Sequence, residues 1–186
     1  MKWTDALAVL FVGAIGAAPA GAQERAATMG GTVGQWWAMV QRSFVSLADA
    51  MPDDRYGFKP TAGEFKDVRT FAQQIKHVAC ANFAFFDEIE HKPPPPDCET
   101  GGPNPARTKS ELMTYLRESF AYGDRVIRAL TPENALDAVD GRYGGPSTRL
   151  GISTLAVWHV SDHYGQLVVY VRMNGIVPPA SAGTAR

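Results

Sequence analysis

Four stretches of about twenty residues, each with apolar side chains recurring at three- and four-residue intervals, leave this chain few ways to fold. The first begins at Thr32, a candidate N-cap, and carries Val33, Trp36 or Trp37, Val40, Phe44, Leu47 and Met51 before Pro52 stops it. The second starts near Thr70 and runs to about His91 with Phe71, Ile75, Val78, Phe85 and Ile89, where Pro93 to Pro96 end any helix. The third, with Ser110 as candidate cap, places Leu112, Tyr115 or Leu116, Ser119, Tyr122, Val126 and Leu130 on one side, and Gly123 within it costs ~1 kcal/mol relative to alanine. The fourth, with Ser153 as candidate cap, ends at "NGIVPP", a glycine followed by a double proline. No segment reads as a strand. Four such helices joined by long connections predict an all-α fold, a four-helix bundle over residues 32–177, antiparallel or mixed, whose sites are built from side chains on facing helices.

The flanks read differently. Lys2, the apolar run Leu7 to Ile15 and the small-residue site Ala20-Gly21-Ala22 form a secretory signal peptide at 1–22, and the run is shorter than the ~20 residues needed to span a bilayer. A periplasmic or secreted protein follows, with no stable membrane span after cleavage. Residues 23–31 and 178–186 are small and polar and are expected to be flexible ends. A net charge of −1, without a basic stripe, excludes a nucleic-acid surface. Export also lets Cys80 and Cys98 pair. Eleven helical residues from Cys80 to His91 span ~16 Å, and the seven that follow reach ~23 Å when extended, so the loop is long enough to close the bond. Two unpaired thiols, one buried and one on a loop, are the alternative.

Two of the chain's four histidines, His159 and His163, sit four apart on a helical line that is polar in its middle, with Gln166, and apolar towards its ends, with Ile152, Ala156, Tyr170 and Met173. At that spacing they point the same way, one turn apart. On the second helix the comparable line is Gln74, His77, Ala81, Ala84 and Glu88, with small neighbours that leave room beside the imidazole. An unmatched buried polar group costs ~1–3 kcal/mol, so three inward imidazoles need three separate hydrogen-bond solutions or one shared metal. Three neutral imidazoles with an open fourth position are the arrangement of catalytic rather than structural zinc sites. His91, beside Lys92, reads as an exposed helix-terminal residue, and Trp36, Trp37, Trp158, Phe83, Phe85 and Phe86 read as core or pocket wall.

The lead-in "YGFKPTAGEFKDVRTFAQQIKH", His77 in "FAQQIKHVACANF" and the pair in "HVSDHYGQLVVYVRMNGIVPP" resemble the DinB family, DinB/YfiT-like four-helix bundles, in motif order and over nearly the whole chain after residue 22. The resemblance implies a divalent metal (Zn, Ni, Mn or Fe, with zinc favoured) held by His77, His159 and His163, with Asp162, Gln166 and Gln74 able to act on the ligands from outside. The family's better understood members are thiol-dependent transferases and isomerases, and because a zinc-like ion makes a nucleophile from a weak acid, a metal-dependent hydrolase or thiol transferase acting on a small molecule is expected. The low-molecular-weight thiols of related enzymes are cytosolic, whereas this chain reads as exported. A non-catalytic, stress-associated protein binding a metal or small ligand is the alternative, and a homodimer is compatible with either.

Overall fold

The computed structural model describes residues 28–142 and 145–183, and the expected signal peptide lies outside the described residues. Its frame is four long helices: α1 (Met29–Ala50), α2 (Phe71–Ile89), α3 (Lys109–Arg128) and α4 (Arg149–Met173). Both α1 and α2 pack against α3 and α4, so the consecutive pairs α1/α2 and α3/α4 stand on the diagonals of the expected bundle. The interior is led by Trp37, Phe44, Phe71, Phe86, Phe120, Leu47, Ile75 and Leu116, all fully buried.

Each long helix opens on a threonine, and three of the four are not the residues expected. Thr28 caps α1 by accepting from the Gly31 amide, ahead of Thr32, so the helix begins inside the segment expected to be flexible. The Gly30-Gly31 pair disguises that start, since glycine disfavours helix and only packing restores it. Thr70 caps α2 as expected, in a reciprocal capping box with Gln73. Thr108, not Ser110, caps α3 through the same device with Glu111, a T-x-x-E signal legible in the sequence. Thr148, not Ser153, caps α4, and Ser153 is buried inside the helix with its hydroxyl donating to the Arg149 carbonyl. At the other end of α4 the Ile176 amide reaches the Val171 carbonyl and the Gly175 amide reaches that of Arg172, with Gly175 at φ 74°. That is a Schellman stop, as "NGIVPP" predicts.

Two further expectations are corrected. A short antiparallel hairpin, β1 (Ala138–Gly141) and β2 (Gly145–Thr148), pairs Ala138 with Thr148 and Gly141 with Gly145 in the last long connection. Four-residue strands containing glycine and proline carry no readable alternation, and the ladder is supported by tertiary contacts: Glu88 of α2, buried, accepts the Arg142 amide through Oε1 at 2.6 Å. The C-terminal end is also partly ordered, with a one-turn helix α5 (Pro179–Ala182) packed near α1. Trp37 is the buried member of its pair and donates from Nε1 to the Phe120 carbonyl at 3.1 Å, whereas Trp36 and Trp158 are 57% and 62% exposed and lie outside the core, Trp36 lining a shallow surface cavity with Met39 and Arg42. Gly123 earns its place by close approach: a Cβ there would collide with the rings of Trp37 and Phe86.

Candidate metal centre

The bundle brings His77 of α2 against His159 and His163 of α4. The capping box at Thr70 sets where α2 begins, and the connection before it is pinned by Phe71 and Ala72 amides donating to the Phe58 and Tyr56 carbonyls. Those bonds hold the first turns of α2 against α4, where the Tyr170 hydroxyl donates to the Arg69 carbonyl at 3.1 Å. His77 and His163 are buried and His159 half-buried. Their ring centroids lie 4.8 Å (His77–His163), 5.1 Å (His77–His159) and 4.5 Å (His159–His163) apart. One candidate ligand nitrogen from each ring falls within 4.8 Å of the other two. Phe85 closes one side of His159 edge-on, with ring centroids 5.3 Å apart.

Hydrogen bonding defines which nitrogens are available. His77 Nδ1 lies 2.7 Å from the Cys98 carbonyl, an obligate acceptor, so Nδ1 carries the proton and Nε2 keeps its lone pair in the neutral ring. That Nε2 faces His159 Nε2 at 3.2 Å. Among the described residues, the buried Nδ1 atoms of His159 and His163 have no hydrogen-bond partner. Burial pushes all three imidazoles below their ordinary range. His159 falls to about 3, with His163, His77 and Arg69 adding to the effect of burial. His163 falls to about 4 through burial first and His77 next, against the opposing pull of Asp162. The cluster is therefore uncharged at neutral pH, the state in which imidazole binds metal.

A tetrahedral ion with nitrogens at ~2.0–2.1 Å sets ligand atoms ~3.3 Å apart, which is the separation of the His77 and His159 Nε2 atoms. With neutral rings and one candidate ligand nitrogen from each, brought together from facing helices, the three histidines could hold a metal ion. The residues expected to support them form a chain of their own: the Gln74 amide donates to Gln166 Oε1, and the Gln166 amide donates to Asp162 Oδ2, each at 2.8 Å. Gln74 is buried, while Gln166 and Asp162 are exposed. The partner that orients His77 is instead the Cys98 carbonyl, which sequence reasoning missed. Cys98 is bonded to Cys80, as expected, with Cα atoms 5.3 Å apart. The available signal was the position of Cys80 three residues after His77, which puts any loop tied to it over the imidazole. Arg69, also unanticipated, donates from its guanidinium to the Glu99 carbonyl and carboxylate beside that loop.

The family model described as DinB superfamily matches residues 37–167, a span that includes α2 and all three histidines. The chain belongs to the DinB superfamily. Among solved structures, this DinB chain is similar to YjoA, a DinB-like protein from Bacillus subtilis, with a TM-score of 0.57 and 21% identity over 77% of this chain and 92% of that one. At that identity the likeness is one of fold. No curated protein matches this DinB chain.

Proposed function

We propose that this chain is an exported DinB protein that holds a divalent metal, zinc favoured, between His77, His159 and His163 and serves as a hydrolase or thiol transferase for a small molecule. The observation that carries the reading is the cluster itself: three neutral imidazoles from two helices, with ligand nitrogens within 4.8 Å of one another. A bound ion of this kind supplies a Lewis acid that lowers the pKa of water or a thiol.

The protein's own residues supply the rest. His77 presents Nε2 because its Nδ1 proton is held by the Cys98 carbonyl. The single rigid helix α4 delivers His159 and His163 together, and Phe85 covers one side of His159. Asp162, together with Glu99, acts on His163 electrostatically, favouring its charged form, and through Gln166 Asp162 is linked to Gln74 on the facing helix. Three protein ligands leave a coordination position for a substrate atom, as catalytic zinc sites do. Export is supported by the opening residues of the sequence and by the Cys80–Cys98 bond, which oxidising compartments favour. No helix of the described residues is long and apolar enough to cross a membrane.

Elemental analysis of protein purified without a histidine tag is expected to find about one zinc-like ion per chain, as three-histidine sites hold. His77→Ala is expected to abolish stoichiometric uptake while leaving helicity intact. Absence of metal from the wild type, with uptake unaffected by the substitution, would remove the proposal. Ester, amide and thiol-conjugation substrates then test turnover, which must disappear on chelation and return on adding zinc.

A further inference from the structure

We infer that the Cys80–Cys98 disulfide is a positioning element for His77, so that the oxidation state of this cysteine pair sets the metal affinity of the three-histidine centre. The inference rests on reading that centre as a metal site and adds its control.

Cys80 lies on α2 three residues after His77, one turn away on the same side of the helix. Its partner opens a tight turn, Cys98–Thr100, and the Cys98 carbonyl there accepts two protons, from the Gly101 amide at 2.9 Å and from His77 Nδ1 at 2.7 Å. The turn aims the carbonyl, and whatever fastens the turn to α2 aims the imidazole. Internal bonds give the turn its shape: the Thr100 and Gly102 amides both donate to the Asp97 carbonyl. Asp97, Gly101 and Gly102 have φ of 56°, 96° and 71°, and a Cβ on Gly102 would collide with Cys80 Sγ, so the turn is seated directly on the disulfide.

The other fastenings are non-covalent. Pro93 to Pro96, which lead into the turn, have no backbone N–H to donate to α2. Arg69, just ahead of α2, donates from its guanidinium to the Glu99 carbonyl at 3.1 and 2.9 Å and to the Glu99 carboxylate, whose side chain is 76% exposed. The disulfide is the covalent hold, and it acts on the very residue whose carbonyl His77 uses. A dithiol reductant delivers two electrons and two protons, becoming a disulfide itself and leaving Cys80 and Cys98 as thiols. The turn is then free to lift, His77 loses its acceptor, and the ring proton redistributes onto Nε2, the nitrogen that faces the other histidines. Loss of such an outer partner of a metal-binding histidine lowers affinity by ~10–100-fold.

The test compares the full chain, disulfide formed, with Cys80→Ala/Cys98→Ala, alanine being chosen so that no free thiol can ligate. Cobalt(II) titration followed by its visible absorption is expected to show at least about tenfold weaker binding in the variant, within the range for outer-partner loss. In parallel, ¹⁵N spectra of the metal-free histidines report the His77 tautomer: a single Nδ1–H form in the oxidised chain, a mixture in the variant. If the variant does not fold, the wild type reduced by a dithiol, desalted without air and checked for helicity takes its place in the ¹⁵N measurement. Affinity within twofold of wild type, or an unchanged His77 tautomer, overturns the inference. Should the oxidised wild type bind no cobalt, the metal reading fails by itself and the tautomer comparison still decides whether the disulfide positions His77.

Discussion

Helix α2 carries two buried polar side chains that meet their surroundings in opposite ways, His77 near its start and Glu88 near its end. Glu88 directs Oε1 at the Arg142 amide and so fastens the hairpin to the bundle. His77 anchors one nitrogen on the Cys98 carbonyl and turns the other toward His159, whose remaining nitrogen, like that of His163, has no partner among the described residues. A polar group that ends on a backbone donor completes a structure. Three neutral imidazoles that face one another form a cluster whose ring nitrogens a cation could share. The contrast separates a fold device from a binding device on one helix.

Substituting the two centres should separate these roles most sharply. His159→Ala/His163→Ala is expected to reduce metal affinity more than about a hundredfold, since two of three ligands go, with little loss of metal-free stability because unmatched buried groups are removed. Glu88→Ala should do the reverse, lowering unfolding free energy by about 1–3 kcal/mol while leaving metal stoichiometry unchanged. Calorimetric titration and denaturant unfolding on both variants check this, and a Glu88 variant that lost metal would merge the two centres into one.

Acid should produce the next largest effect. In the folded, metal-free chain the His159 and His163 pKa values lie at about 3 and about 4, against ~6.5 for histidine in an unfolded chain. Between those values the unfolded chain holds more protons, so stability is full above pH ~6.5 and falls as pH is lowered toward 3 to 4. Thermal unfolding followed across that window is expected to show the decline in the wild type and a shallower one in His159→Ala/His163→Ala. Equal slopes would mean that these imidazoles do not govern the acid response.

The smallest effect is expected at the linked side chains. Gln166→Leu breaks the hydrogen bonds to both Gln74 and Asp162 without touching an imidazole, and should weaken metal binding by less than about tenfold, below the usual range for direct outer partners. A larger loss would show that this chain, and not the Cys98 carbonyl alone, orients the ligands.

Local geometry was legible without coordinates. Three- and four-residue periodicity reported the four helices, the prolines and Gly175 reported where they stop, and the His-x3-His spacing placed two imidazoles on one side of α4, because all of these depend on contacts within a turn or two. The family resemblance was equally legible, since its motifs are local strings around the three histidines. The errors differ in origin. Thr28 caps α1 ahead of the expected residue because packing restores a helix start that the Gly30-Gly31 pair disguises, whereas the Thr108 cap of α3 is a local T-x-x-E signal that was passed over for Ser110. The hairpin is too short for alternation to show, and periodicity could not tell which of Trp36 and Trp37 faces inward.

By itself, then, the sequence determined the helices, their stops and the pairing of His159 with His163 along one helix, all set by the 3.6-residue repeat. That His77 joins them was implied by the family resemblance; tertiary structure alone decided how, Nε2 to Nε2 at 3.2 Å across 82 positions of sequence, and that a backbone carbonyl of Cys98, carrying no side-chain signature, fixes its proton. Contacts of that range come from how helices pack and where a disulfide draws a loop, and neither leaves a periodic trace in the chain.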